Sequence, residues 1–277
     1  MSSFSPSASS VAPFSRTSAP ASAPQPGPEA GLDDLLAFAE KKYSLEFEPV
    51  SAGGVTLNIL QIANMREILD DAVASGALQD ALATLPLWAK IWPASLILGH
   101  ALAALPPDGR CLLEVGAGCG VAGLVAAAAG FSSVLITDIN DDALLFARIN
   151  ILKNNLQDRA SVCRADIESD RLERRFSLIA GAEILYLEHL YRPLVKFLGR
   201  HLAARSSSPA PGILLATDHR RDAKRFFKLA EKEFHIAHKQ IGITATAAPG
   251  ETPGEAAADS GRRERHLISL HRLTPLR

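Results

Sequence analysis

Apolar residues recur at helical spacing from Leu32 to Tyr43, where Leu32, Leu35, Leu36, Phe38 and Ala39 fall on one face. The period then shortens to two. Leu45 and Phe47 alternate with Glu46 and Glu48 until Pro49 interrupts, and beyond Gly53-Gly54 the residues Val55, Leu57 and Ile59 alternate with Thr56 and Asn58. This predicts a short hairpin whose proline-bearing strand lies at an edge. Asn64 stands where it can cap a following helix that runs on through Val73.

From Pro93 onward helical and strand patterns alternate. A helix over 93–105 leads to an apolar strand at Cys111–Val115, a glycine-rich turn at 116–120 and a small-residue helix over 121–129. A second strand, Ser133–Thr137, runs into Asp138, and a helix follows over 141–154. Strands near 160–164 and at Ser177–Ala180, a helix near 188–203, a strand at Gly212–Thr217 and a helix over 221–232 continue the series. Phe234–Ile243 and His266–Leu273 then read as two strands with no helix between them, separated by an Ala/Gly/Pro/Glu-rich stretch, 245–261, that predicts a flexible insertion. Parallel neighbours need a crossover helix, whereas two strands joined by a loop pair antiparallel. The predicted fold class is therefore α/β, a doubly wound, mostly parallel seven-stranded sheet with an antiparallel edge strand and a small N-terminal extension. Three regions follow: a Ser/Ala/Pro-rich tail over 1–30, helices and a hairpin over 31–84 packed on the core, and the α/β domain over 85–277.

Composition narrows the function classes. Hydrophobic residues make up 47% of the 277, enough for a large core, and the formal net charge of -1 predicts no general attraction to nucleic acid or to an anionic membrane. The first thirty residues carry few charges and no continuous apolar run, which predicts a disordered tail rather than a secretory leader. Leu85 to Pro107 is apolar enough to suggest a membrane span, but Lys90, His100 and four prolines favour a buried helix that starts at Pro93. Cys111, Cys119 and Cys163 are spaced for neither disulfides nor zinc, and His189, His219, His235 and His238 show no ligand spacing, so no metal is expected. A reducing, cytoplasmic setting is the expectation. Arg220-Arg221 with Lys224, Arg225 and Lys228 reads as a solvated helix face, or as a surface that guides an acidic peptide.

The chemistry-bearing stretch is Leu113-Glu114-Val115-Gly116-Ala117-Gly118-Cys119-Gly120. A strand runs into glycines at alternate positions and a helix follows, the arrangement that lets a backbone approach a nucleotide. Gly118-Cys119-Gly120-Val121-Ala122-Gly123 also satisfies the dinucleotide fingerprint. Three acids argue otherwise. Glu114 ends the first strand, where it can meet a cationic amino-acid group. Asp138 ends the second, placed for ribose hydroxyls, and Asp166 follows the third, placed for an adenine amino group. Carboxylates after three successive strands suit a cationic nucleoside without phosphates better than a pyrophosphate.

On these residues the sequence resembles the seven-β-strand S-adenosylmethionine-dependent methyltransferases. Two further segments, Leu87-Trp88-Ala89-Lys90-Ile91-Trp92-Pro93 and Gly181-Ala182-Glu183-Ile184-Leu185-Tyr186, make it similar to methyltransferase family 16, a protein lysine methyltransferase group. The resemblance spans roughly Leu85 to Leu273. It implies S-adenosyl-L-methionine as methyl donor and contacts to it from Trp88, Glu114, Gly116, Gly118, Gly120, Asp138, Asp166 and Ala182. It also implies an acceptor site at Glu183 and Tyr186, which match the group's D/E-x-x-Y/F motif, with Glu in place of the commoner Asp.

The implied acceptor is a nitrogen, most simply a lysine side chain of a partner protein. In that reading Glu183 orients the incoming amine, and Tyr186 walls the channel through a cation–π contact or its hydroxyl. The alternatives are methylation of a small amine or heterocycle, an NAD(P)-dependent oxidoreductase, and a non-catalytic binding module. Adenine or cytosine methylation in DNA is disfavoured, because Glu183–Tyr186 lacks the N-P-P-Y-like loop that holds a flipped base.

Overall fold

The computed structural model describes residues 26–74, 85–107, 109–244 and 265–276. Most of the Ser-rich tail and the 245–261 insertion lie outside the described residues. The parallel strands are β3 (Cys111–Val115), β4 (Ser133–Asp138), β5 (Ala160–Arg164), β6 (Leu178–Ala182) and β7 (Gly212–Asp218), and β8 (Phe234–Thr244) and β9 (Arg265–Pro275) complete the sheet. Their order is β5-β4-β3-β6-β7-β9-β8, with β9 antiparallel to both neighbours.

These strands are continuous apolar runs because both faces are covered. Alternate side chains enter two separate cores. Leu112, Leu178 and Leu214 pack under helices α3 (Pro93–Ala103), α4 (Val121–Ala128) and α5 (Asp141–Lys153). Leu113, Ile179, Ile213 and Leu215 pack under α6 (Tyr191–His201) and α7 (Lys224–Ala230). The chain leaves β3 towards β4 on one side and returns to β6 on the other. Ligands of open α/β sheets bind at such a switch point, outside the carboxyl ends of the strands.

The N-terminal region contains α1 (Leu32–Ala39), the antiparallel hairpin β1 (Leu45–Ala52) and β2 (Val55–Ile62), and α2 (Met65–Ala74). The hairpin is longer than its alternating core predicts. Pro49 sits opposite Asn58, whose N–H and C=O turn outward to the Asn154 amide, both at 2.9 Å, so the proline forfeits no ladder bond. One turn earlier, fully buried Asn150 accepts from the Leu60 N–H at 2.8 Å and donates to the Cys119 carbonyl at 3.0 Å. Asn150 of α5 and Asn154 just past its end thus satisfy the free edge of β2, and Asn150 ties it to the glycine turn. Arg148 of the same helix donates to the carbonyls of Pro26, Pro28 and Ala30, so these residues, read with the tail, sit against α5.

Two helices depart from their sequence pattern. The stretch near 188–203 opens as a 3-10 turn, Glu188–Leu190, before α6 begins. The one read over 221–232 contracts to α7. Arg221 N–H bonds the Asp218 carbonyl in a turn instead, and the Asp222 carboxylate accepts from the N–H of Lys224, the first residue of α7.

Candidate active site

Gly116, Gly118 and Gly120 all adopt left-handed backbone, with φ of 60°, 55° and 80°. The tightest of them is Gly118, where a Cβ would collide with the Trp88 carbonyl oxygen. The segment before α3 therefore lies directly on the turn, which brings Trp88 to the cleft. Its indole is set edge-on against Phe146 at 4.9 Å and Tyr43 at 5.9 Å between ring centroids. Tyr43 in turn donates to Asp142 at 2.8 Å, and Lys42 pairs with the other oxygen of that carboxylate at 2.8 Å. Tyr43, Lys42 and Asp142 support Trp88 from about fifty positions away on either side, and no local pattern marks them.

The two acids nearest the turn are turned into it. Glu114 is 2% exposed and accepts from the Gly123 N–H at 2.8 Å; a Cβ at Gly123 would lie 2.5 Å from that carboxylate oxygen. Burial pushes the Glu114 carboxyl up to about 8, opposed by the N–H groups of Gly123 and Ala122 and assisted by the Asp138 carboxylate. Its place is behind the turn, as a brace for the start of α4, rather than in the open cleft that its position in sequence suggested. Asp138 accepts from the N–H of Gly118 and of Asn140, both at 2.9 Å, and burial raises its carboxyl despite those bonds.

This arrangement discriminates between ligands. A pyrophosphate at a glycine turn needs the backbone N–H groups that open the helix. Those of Gly118 and Gly123 are already taken by the carboxyl oxygens of Asp138 and Glu114, which a phosphate would have to displace. S-adenosylmethionine carries no phosphate and brings positive charge, so the residues present fit it. Asp166 lies past β5, where its carboxylate accepts from the Glu168 N–H at 2.9 Å and its own N–H donates to Asp170. Ile139, directly after Asp138, is 54% exposed at the same rim, an apolar surface that the reading of the acids passed over.

Ala182 ends β6 and Glu183 follows with φ of 54°, a left-handed conformation costly for a side-chain-bearing residue. Its carboxylate is held at both ends. One oxygen accepts from the Asp218 N–H at 2.6 Å, the other from Arg221 Nε at 3.1 Å, and the side chain is 12% exposed. Asp218 is fixed by the Arg220 guanidinium, whose bonds hold its carboxyl down at about 2. Ile184 tucks under the glycine turn, where a Cβ at Gly116 would lie 2.8 Å from its Cγ2, so the donor cradle and the Glu183 loop are in contact. Tyr186 stands out at 62% exposure beside Leu187 at 36%. Desolvation and then Asp138 raise its hydroxyl while Arg221 opposes them, which places it in the field of both strand ends.

Among the described residues no group of three or more His, Cys, Asp or Glu is placed to hold a metal ion, and no helix is long and apolar enough to cross a membrane. A larger cavity, about 490 Å³, lies away from this chemistry between α3 and the β7-β9-β8 edge.

Comparison with known proteins agrees with the geometry. Residues 79–233 match the lysine methyltransferase family, methyltransferase family 16. Mouse protein N-lysine methyltransferase METTL21A is 34% identical over 160 residues, 54% of this chain and 69% of that protein. Mouse EEF1A lysine methyltransferase 3 is 33% identical over 156 residues, 53% of this chain and 64% of its own length. A Caenorhabditis elegans homologue of the electron transfer flavoprotein beta subunit lysine methyltransferase is 32% identical over 97 residues, 33% of this chain and 40% of that protein. The chain thus spans 40 to 69% of the length of these relatives. A transferase structure from Pyrococcus horikoshii shares the fold, with a TM-score of 0.51 at 14% identity over 84% of this chain and 73% of that one. The chain belongs to the lysine methyltransferase family and is an S-adenosylmethionine-dependent enzyme of the protein N-lysine methyltransferase group.

Proposed function

We propose that this chain methylates the side-chain nitrogen of a lysine presented by a folded or extended segment of another protein, with Glu183 orienting the acceptor. The observation that carries the assignment is the Glu183 carboxylate, held in a left-handed loop at the end of β6 and touching the donor cradle through Ile184. The relatives named for EEF1A and for the electron transfer flavoprotein beta subunit make those two proteins the first acceptors to assay.

In this reading Gly116, Gly118 and Gly120 line the donor site beside Trp88 and Ala182. Asp138 receives the ribose hydroxyls and Asp166 faces the adenine amino group. Glu114 acts from behind, by fixing the first turn of α4 and hence the position of the glycines. The bound donor supplies a methyl group on a positively charged sulfur, so the reaction is an in-line displacement that asks for alignment and a dry site.

A lysine must lose a proton first. Its reference pKa of about 10.4 means that exposing the lone pair at pH 7 costs on the order of 4–5 kcal/mol. An isolated carboxylate would increase that cost by favouring the ammonium. Arg221 removes the difficulty. Its guanidinium neutralises Glu183, leaving a directional acceptor without net negative charge. Glu183 can then hold the amine by one N–H while the released proton leaves through water. Tyr186, exposed at the mouth, walls the path of the lysine stem.

The test is transfer of labelled methyl groups into lysate proteins and into the two named acceptors, with S-adenosylhomocysteine affinity measured by calorimetry. Glu183→Ala is expected to lower turnover by a factor of about 100, within the range for loss of a positioned catalytic group, with affinity unchanged. Wild-type turnover in that variant would remove Glu183 from the mechanism, and an absence of label in any protein would remove the acceptor class.

A further inference from the structure

Arg221 has two neighbours. On one side its Nε meets Glu183, and on the other the same guanidinium lines a cavity of about 340 Å³ at the carboxyl end of β7. The cavity is walled by basic side chains. Arg220, Arg221 and Lys224 come from the turn into α7, His238 from β8 and His271 from β9, and among the described residues Asp222 is the carboxylate in the lining. Asp222 is engaged by the Lys224 N–H at 3.2 Å. The Lys224 ammonium is exposed, and Glu183 leaves the terminal nitrogens of Arg221 available to a second acceptor. The imidazole of His271 stacks between the rings of Phe227, at 4.1 Å, and His238, at 5.6 Å, giving the cavity a flat wall of rings. Burial, and then the neighbouring His238, lower the His271 pKa to about 4, so that ring is neutral at pH 7 and an anion beside it would favour its charged form.

We propose that this cavity is a substrate subsite that takes the carboxylate side chain of an Asp or Glu lying close to the acceptor lysine. The inference rests on Glu183 as the residue that receives the lysine. A shared guanidinium sets the spacing. A carboxylate in the cavity meets Lys224 and the outer N–H groups of Arg221, in charge-assisted bonds, while the lysine approaches Glu183 across the same side chain. The acidic neighbour thereby fixes which lysine enters. The Arg221–Glu183 pair stays closed, so the lysine meets an acceptor without net negative charge. A lysine without such a neighbour lacks this second anchor.

The experiment uses the protein most strongly methylated in the lysate assay, with its modified lysine located by mass spectrometry. Acids near that lysine, in sequence or in space, are changed one at a time to the amide, and each protein is assayed with the wild-type enzyme, Lys224→Gln and Lys224→Arg. One acid-to-amide change should lower kcat/KM about tenfold through KM, the usual scale for a hydrogen bond to a charged group. Lys224→Gln should lower it similarly, the two changes together should cost no more than one, and Lys224→Arg should restore most of the rate. S-adenosylhomocysteine affinity should stay the same throughout. Additive losses, no loss with any amide substitution, or a methylated lysine with no acid nearby would each overturn the subsite. Glu183→Ala with intact turnover would instead sink the reading of the acceptor residue while leaving the Lys224 cycle interpretable.

Discussion

A buried carboxyl group without a counter-ion is a titrating defect in the fold, and Glu114 is one. Its carboxyl titrates at about 8 in the folded chain against an ordinary value of 4.5. Between those two values the folded state keeps a proton that the unfolded state has released, so stability must fall as pH rises through the window. Urea unfolding at pH 5 and pH 8 should show that fall in the wild type and a smaller one in Glu114→Gln. Equal slopes would acquit the residue. The type and place of Glu114, Asp138, Glu183 and Tyr186 were legible because each sits in a short local pattern. The direction of the Glu114 side chain was not, since it depends on how closely α4 folds back over β3, and Gly123 permits that approach. The role of Arg221 was equally hidden, because its partner lies 38 positions away and its neighbours read as an ordinary basic helix face.

At the scale of elements, the alternation of apolar residues announced the hairpin, but its docking depends on amides. Asn150 joins the Leu60 N–H of β2 to the Cys119 carbonyl in the glycine turn. Removing it strands two buried backbone groups, each costing about 1–3 kcal/mol. Asn150→Leu should therefore destabilise the chain by roughly 2–6 kcal/mol on that basis. It should also weaken S-adenosylhomocysteine binding, because the carbonyl it releases belongs to the donor cradle. Asn154→Ala, which frees the exposed Asn58 groups to water, should cost much less, and denaturant midpoints of the two variants would separate them. Nothing in the spacing of two polar residues on a helix distinguishes strand-edge partners from a solvated stripe. The short start of α7 was illegible for a related reason: Arg221 and Asp222 have good helical neighbours, but Arg221 turns to Glu183 and Asp222 accepts from the Lys224 N–H at the helix start.

For the whole molecule, strand direction follows from connection lengths, which is why the β-β ending gave the antiparallel pair at this side of the sheet. The same topology gathers Gly116, Asp138, Ala182 and Arg221 at one rim of the sheet, from four strand ends. A ligand that binds only the folded rim stabilises the whole chain, by about 2.7 kcal/mol at a hundredfold excess over Kd. S-adenosylhomocysteine should accordingly raise Tm by several degrees, whereas NAD should leave it unmoved because the loop N–H groups are committed to carboxylates; a comparable shift with NAD would contradict that account of the cradle. Glu183 ties this molecule's durability to its work. Its left-handed backbone suits glycine, which would relieve strain on the order of 1 kcal/mol. Glycine there would also unpair the Asp218 N–H and Arg221, at about 1–3 kcal/mol. Laboratory evolution for heat tolerance alone should therefore keep the acid: the bonds that aim it are the ones that hold its strained backbone in place.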